Sequence, residues 1–255
     1  MTLLPWQQLE LTAVGTHALV VGNGPGRLGL EPVLRRWRGP IIACNSYWRT
    51  GLPIDYLVVY DAEQADLALE NFAGRIVMRQ QIAPGRASVL HGDPCADPRL
   101  CNRAKRRTWL AEPLVSAVPD SLAVEHWSRD PMRMAIATKA GHVAYQLAGI
   151  LGAESVTLAG IDACVAGDEE SACARSWPGY EIRVTVGDAV ERPGSDGSRV
   201  TVPARWLDDI ELWRVLTRDL DLPTTRLGAR PTALSWIPSL AEPDLLDRLQ
   251  ADDRG

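Results

Sequence analysis

The chain has 255 residues, 46% of them hydrophobic, enough to bury a substantial core, and its length fits one large domain better than two. A formal charge of −5 and an isoelectric point near 5.4 exclude a global field drawing it to nucleic acid or an anionic membrane. No stretch approaches the roughly 20 apolar residues of a membrane span, and the scattered Cys44, Cys95, Cys101, Cys164 and Cys173 have neither zinc-site spacing nor the density of a disulfide scaffold. A soluble, cytoplasmic protein with free thiols is expected.

Residues 1–16 read as a lead-in segment that packs Leu3, Leu4 and Trp6 on a sheet edge. His17 to Gly26, HALVVGNGPG, predicts a short buried strand over 18–21 that runs into a Gly/Asn/Pro loop, with a helical pattern following from Leu28 to Trp37. In an open α/β sheet that loop lies at the carboxyl ends of the strands, where unpaired backbone N–H groups meet a ligand. It reads either as a nucleotide or phosphate cradle or as a tight strand-to-helix turn. In the first reading Gly22, Gly24 and Gly26 allow positive φ and close approach of a ligand, Pro25 stiffens the turn, and Asn23 offers an amide to a ribose or phosphate.

A second strand is predicted over Gly39 to Asn45 and a third over Tyr56 to Tyr60, ending at Asp61, with helix from Ala62 to Phe72 and a fourth strand over Arg75 to Met78. This alternation predicts an α/β, Rossmann-like, doubly wound and mostly parallel sheet with helices on both faces. It sets Asn23, Asn45 and Asp61 along one rim. Singly, Asn45 also reads as an Asx-type turn and Asp61 as a helix N-cap. Residues 80 to 135 are irregular. Their Arg103, Lys105, Arg106 and Arg107 cluster, beside Trp109, reads as a solvated face or as a grip on an anionic acceptor or a phosphate backbone.

A helix carrying Val143, Ala144, Leu147, Ile150 and Leu151 is predicted to open at Thr138, which can cap it, with Lys139 where a phosphate would meet its N-terminus. Ser155 to Ala159 predicts another buried strand, and Asp162 follows it onto the rim. The polar, Gly-rich stretch 163–203, with a strand-like patch at 182–186, predicts a long lid-like insertion. An amphipathic helix over 205–220, a last strand over 224–227 and a charged C-terminal helix complete the single nucleotide-binding domain expected over 1–255.

In that order, VVGNGPG, ACNSYW, YLVVYD and TKAGHVAYQLAGILGAESVTLAGID resemble the shared skeleton of two related bacterial groups. One is glycosyltransferase family 42, the sialyltransferases that use a CMP-sugar. The other is the motility accessory factor and 6-hydroxymethylpterin pyrophosphokinase-like family. The resemblance implies that Asn23, Gly24 and Asn45 hold the nucleotide and that Lys139, Ala140 and Gly141 line its site. With the loop and cap residues, the expected nucleotide-binding set is Asn23, Gly24, Pro25, Gly26, Asn45, Thr138, Lys139 and Gly141. The chain departs from the sialyltransferase pattern twice: Cys164 stands where a donor-phosphate tyrosine is expected, and no His follows His142.

Glycosyl transfer needs a base for the acceptor hydroxyl and an electrostatic partner for the departing phosphate. Asp61, His142 and Asp162 are the catalytic candidates, and Lys139, Arg183 and Arg205 the cationic ones. Asp162 also reads as a buried turn residue and His142 as a satisfied polar group on a helix. The leading expectation is a glycosyltransferase that passes a sugar from a nucleotide-activated, CMP-sugar-like donor to a hydroxyl. The acceptor classes left open are a glycan, a small molecule, a protein or a modified base in DNA. The runner-up is a pyrophosphokinase, with Mg²⁺ held between two rim carboxylates and the nucleotide phosphates. A non-catalytic nucleotide-binding module is the third. The Trp-rich surface leaves room for a homo-oligomer.

Overall fold

The computed structural model describes residues 13–60, 62–78, 109–111, 139–165, 188–228 and 230–249. The apolar runs become strands: β1 (His17–Val21), β2 (Ile41–Cys44), β3 (Tyr56–Val59), β4 (Arg75–Met78), β5 (Trp109–Ala111) and β6 (Ser155–Ala159). Next come a separate antiparallel hairpin, β7 (Ala189–Pro193) with β8 (Arg199–Pro203), and then β9 (Thr224–Leu227). The main sheet runs β5-β4-β3-β2-β1-β6-β9, with every pairing parallel. The chain therefore winds outward from β1 to β5 and then crosses back to lay β6 on the other side of β1. That reversal is the switch point at which open parallel sheets bind ligands.

Side chains of each strand alternate between two apolar clusters, as the two-residue period requires. Ala18, Val20, Ile42 and Val58 face α3 (Ala140–Ile150) and α4 (Leu207–Asp219). Leu19, Val21, Ile41, Leu57 and Ile76 face the opposite way, with Leu34 of α1 (Glu31–Arg36) and Leu69 of α2 (Ala62–Asn71). A short α5 (Glu242–Asp247) adds Leu245 to that second layer. Both faces of the sheet are covered, as expected of a doubly wound fold. Every residue of α3 is buried, because α3 is enclosed between the sheet and α4.

Several elements differ from the sequence reading. The helix expected from Leu28 begins only at Glu31, after a 3-10 turn over Pro25–Arg27, and stops at Arg36, where the Trp37 indole N–H donates to the His17 carbonyl at 2.9 Å. α4 begins at Leu207, after a 3-10 turn over Ala204–Trp206. β5 went unread within the irregular stretch. Of the expected lid, residues 166–187, which include the strand-like patch, lie outside the described residues. Residues 188–203 form the β7–β8 hairpin, which is seated on the core: Val200 and Val202 are buried, and the Val165 N–H donates to the Thr201 carbonyl at 2.8 Å. No helix among the described residues is long and apolar enough to cross a membrane.

Candidate functional site

The rim at the carboxyl ends of β1, β2, β6 and β9 is built by loops that lock onto one another. The Gly22 N–H donates to the Ala159 carbonyl at 2.8 Å, the Gly24 N–H to the Gly160 carbonyl at 2.9 Å, and the Gly26 N–H to Asp162 Oδ2 at 2.8 Å. None of Gly22, Gly24 and Gly26 has positive φ, contrary to the sequence reading. Their smallness serves close packing within the protein. A Cβ on Gly24 would lie 2.4 Å from Asp162 Oδ2, and one on Gly26 would lie 2.2 Å from Asp162 Oδ1. Gly160, at the end of β6, is left-handed, φ +63, and its turn presents its carbonyl to Gly24.

On the β2 side, Asn23 Nδ2 donates to the Cys44 carbonyl at 3.1 Å and reaches Ser46 Oγ at 3.4 Å. The bond to a carbonyl fixes the amide orientation, because a flipped amide would set oxygen against oxygen. Asn23 Oδ1 is then buried with no hydrogen-bond partner among the described residues. An acceptor in that position is costly until a donor arrives. Asn45 sits beside it in a left-handed conformation, φ 47, which its short polar side chain tolerates. Its Oδ1 accepts the Tyr60 N–H at 2.9 Å and so ties the end of β2 to the end of β3. Below this corner Tyr47 is fully buried, and burial pushes its pKa up to about 12 against the pull of Arg27, whose guanidinium lies 5.6 Å from the ring centroid.

The other candidates fall elsewhere. His142, expected as a catalytic base, is a core residue. It is fully buried on α3, edge-on to Trp213 at 4.9 Å, with Nε2 3.2 Å from the Asp209 carbonyl. Burial pulls its pKa down to about 3, partly offset by that bond, so it is the neutral donor there and cannot exchange a proton with a ligand. The Asp162 carboxyl is turned into the cradle loop, where burial raises its pKa against the Gly26 N–H bond and the charges of Arg230 and Arg226. It braces the loop. Lys139 ion-pairs with Asp209 at 3.5 Å and stands 5.9 Å from the Trp206 ring centroid, so its contacts are to α4 and the turn before it. Gly141 lets α3 pack closely: its Cβ would meet Ile161 at 3.1 Å and Trp213 at 3.2 Å. Ile161 also touches Gly22, which brings the start of α3 up to the cradle. Cys164, buried, donates its thiol to the Pro231 carbonyl at 3.7 Å, and burial pushes its pKa up to about 12. Asp61, Thr138, Arg183, and the Arg103 to Arg107 cluster lie outside the described residues, and nothing of the Arg205 side chain is described. Among the described residues there is no group of three or more His, Cys, Asp or Glu able to hold a metal.

Comparison with solved structures adds to this geometry. The MAf glycosyltransferase from Magnetospirillum magneticum AMB-1 superposes over 92% of the chain at a TM-score of 0.55 and 15% identity. The chain has that fold. It spans 36% of the length of the Magnetospirillum protein. The sialyltransferase CstII from Campylobacter jejuni, in complex with the substrate analogue cytidine-5'-monophosphate, matches over 91% of this chain and 87% of its own at 10% identity and a TM-score of 0.48. The Campylobacter jejuni α-2,3-sialyltransferase Cst-I matches over 93% and 89% at 13% identity and a TM-score of 0.43. No protein-family model matches the sequence, and no curated protein matches it.

Sequence reasoning missed Ser46, Tyr47 and Arg27 under the cradle and Arg226 and Arg230 beside it. The only signal for the first three was adjacency to the asparagine and glycine motifs; Arg226 lay on a strand that carried no motif, and Arg230 in the loop that follows it.

Proposed function

We propose that the chain is a glycosyltransferase that binds a nucleotide-activated, CMP-sugar-like donor at the β1–β2 corner and passes the sugar to an acceptor hydroxyl. The observation that carries this reading is the buried, unmatched Asn23 Oδ1, held by a fixed amide beside the sheet's switch point. An acceptor so placed suits an amino group of a base or a ribose hydroxyl. The shared fold with a glycosyltransferase and the ordered motif resemblance support the reaction class. In this reading Asn23 and Asn45 shape the nucleotide pocket, and the Gly24, Pro25 and Gly26 backbone, stiffened by Asp162, forms its wall. Asp61, next in chain after the Tyr60 that Asn45 anchors, takes the acceptor proton.

The test is release of free nucleotide from CMP-, UDP- and GDP-sugars in the presence of glycan and small-molecule hydroxyl acceptors, with and without EDTA. Release from a CMP-sugar, undiminished by EDTA, is expected. No release from any of the three, or EDTA-sensitive AMP formation from ATP, overturns the reading; the second outcome is the signature of a metal-dependent pyrophosphokinase.

A further inference from the structure

Beside the cradle, on the side away from Asn45, a small open cleft lies between the carboxyl ends of β1, β6 and β9. Gly26, Gly160, Asp162, Arg226, Arg230 and Thr232 line it. Arg226 Nη1 donates to the carbonyls of Gly228 and Arg230, at 3.2 and 3.4 Å, which fixes the guanidinium. Its Nε is buried with no hydrogen-bond partner, and Nη2 is not engaged among the described residues. Nε–H and Nη2–H form the side edge of the guanidinium, a parallel pair of donors that matches two oxygens of a carboxylate or phosphate.

Arg230 is exposed at the mouth of the same cleft. The segment that carries it is clamped to the β6 loop: Thr232 Oγ1 donates to the Asp162 carbonyl at 2.7 Å, and the Ala233 N–H donates to the same carbonyl at 3.0 Å. Neither guanidinium is ion-paired among the described residues. The acidic group in the cleft, Asp162, spends Oδ2 on the Gly26 N–H and packs Oδ1 against the same loop. Two cations therefore face one carboxyl in the cleft that is already committed elsewhere, while Asp196, which also attracts Arg226, is exposed and bonded to Ser198.

We infer that this cleft is an oxyanion subsite, gripping one phosphate or carboxylate between the side edge of Arg226 and the Arg230 guanidinium. It deepens the nucleotide-sugar reading, and rests on it only for the molecule that carries the acid group: the nucleotide itself, through its phosphate, or an acidic acceptor.

The full chain is tested in two arms. Thermal shifts are recorded with inorganic phosphate and with acetate against sodium chloride at matched ionic strength, for wild type, Arg230→Gln and Arg226→Lys. Phosphate, acetate or both raise the wild-type melting temperature above chloride, and each variant weakens the apparent affinity at least tenfold. Arg230→Gln, at an exposed position, melts with wild type in chloride. Calorimetric titration with CMP and cytidine then assigns the source. If the nucleotide phosphate occupies the cleft, Arg230→Gln weakens CMP and leaves cytidine unchanged. If an acceptor acid occupies it, CMP is unchanged and the oxyanion still binds the CMP-saturated protein. An oxyanion response equal in wild type and Arg230→Gln, or none in wild type, overturns the subsite. An Arg230-dependent oxyanion response without any CMP or cytidine binding keeps the subsite and overturns the nucleotide reading instead.

Discussion

The β1–β2 corner and the start of α3 carry the same kinds of polar residue, yet the protein treats them in opposite ways. At the corner, Asn23 gives its amide hydrogens to Cys44 and Ser46 and leaves its oxygen buried and unmatched. At α3, Lys139 has Asp209, His142 has the Asp209 carbonyl, and Gly141 has Ile161 and Trp213 against it. The fold has already spent the bonding capacity of one region and left that of the other for something else. Position on the rim is thus a weaker guide to a ligand than a buried polar atom without a partner.

The contrast can be broken most forcefully at His142. His142→Ala removes a fully buried ring and its bond to the Asp209 carbonyl, so stability falls by about 2–5 kcal/mol, measured by urea unfolding, while CMP affinity per folded molecule is unchanged. A drop in affinity with stability intact would return His142 to the site. The pH dependence has a defined sign. Folding depresses its pKa from 6.5 to about 3, so below pH 6.5 the unfolded chain binds the proton and the folded chain does not. Its stabilising contribution is complete above pH 6.5 and is lost as pH falls toward 3, by about 2 kcal/mol at pH 5. His142→Gln flattens that part of the wild-type stability curve.

Gly26→Ala ranks next. Its methyl overlaps Asp162 Oδ1, and the expected loss is about 1–3 kcal/mol. In a double-mutant cycle Asp162→Ala relieves part of that loss, with a coupling of about 0.5–3 kcal/mol; strict additivity would mean that the glycine faces the ligand instead. Asn23→Ala reverses the His142 pattern: CMP binding weakens about tenfold, or 1.4 kcal/mol, by calorimetry, while loss of the amide bonds to the Cys44 carbonyl and Ser46 lowers stability by only about 1 kcal/mol in urea. The smallest effect is expected for Lys139→Ala. Its ion pair with Asp209 is half exposed, so less than about 1 kcal/mol of stability is lost and CMP affinity holds.

The sheet was legible because β1, β2, β3 and β6 are short apolar runs, each followed by a polar or glycine stop, which is what strands buried on both faces require. The β7–β8 hairpin was legible too, in the Asp196-Gly197 turn between Val190 and Val200, where Gly197 has φ +83 and Asp196 Oδ1 accepts the Ser198 N–H. Reading 163–203 as one lid hid it. The fates of His142 and Lys139 were not legible. Both depend on α4 closing over α3, and Asp209 lies 67 residues from His142 in the chain. The neighbour of the glycine loop was not legible either, since sequence alone does not distinguish a glycine that admits a ligand from one that admits a neighbouring carboxylate.

The most direct test of the account is a crystal structure of the chain with CMP bound. The account predicts a base amino group or ribose hydroxyl within about 3.2 Å of Asn23 Oδ1. A nucleotide bound elsewhere, with that oxygen still unmatched, would contradict it.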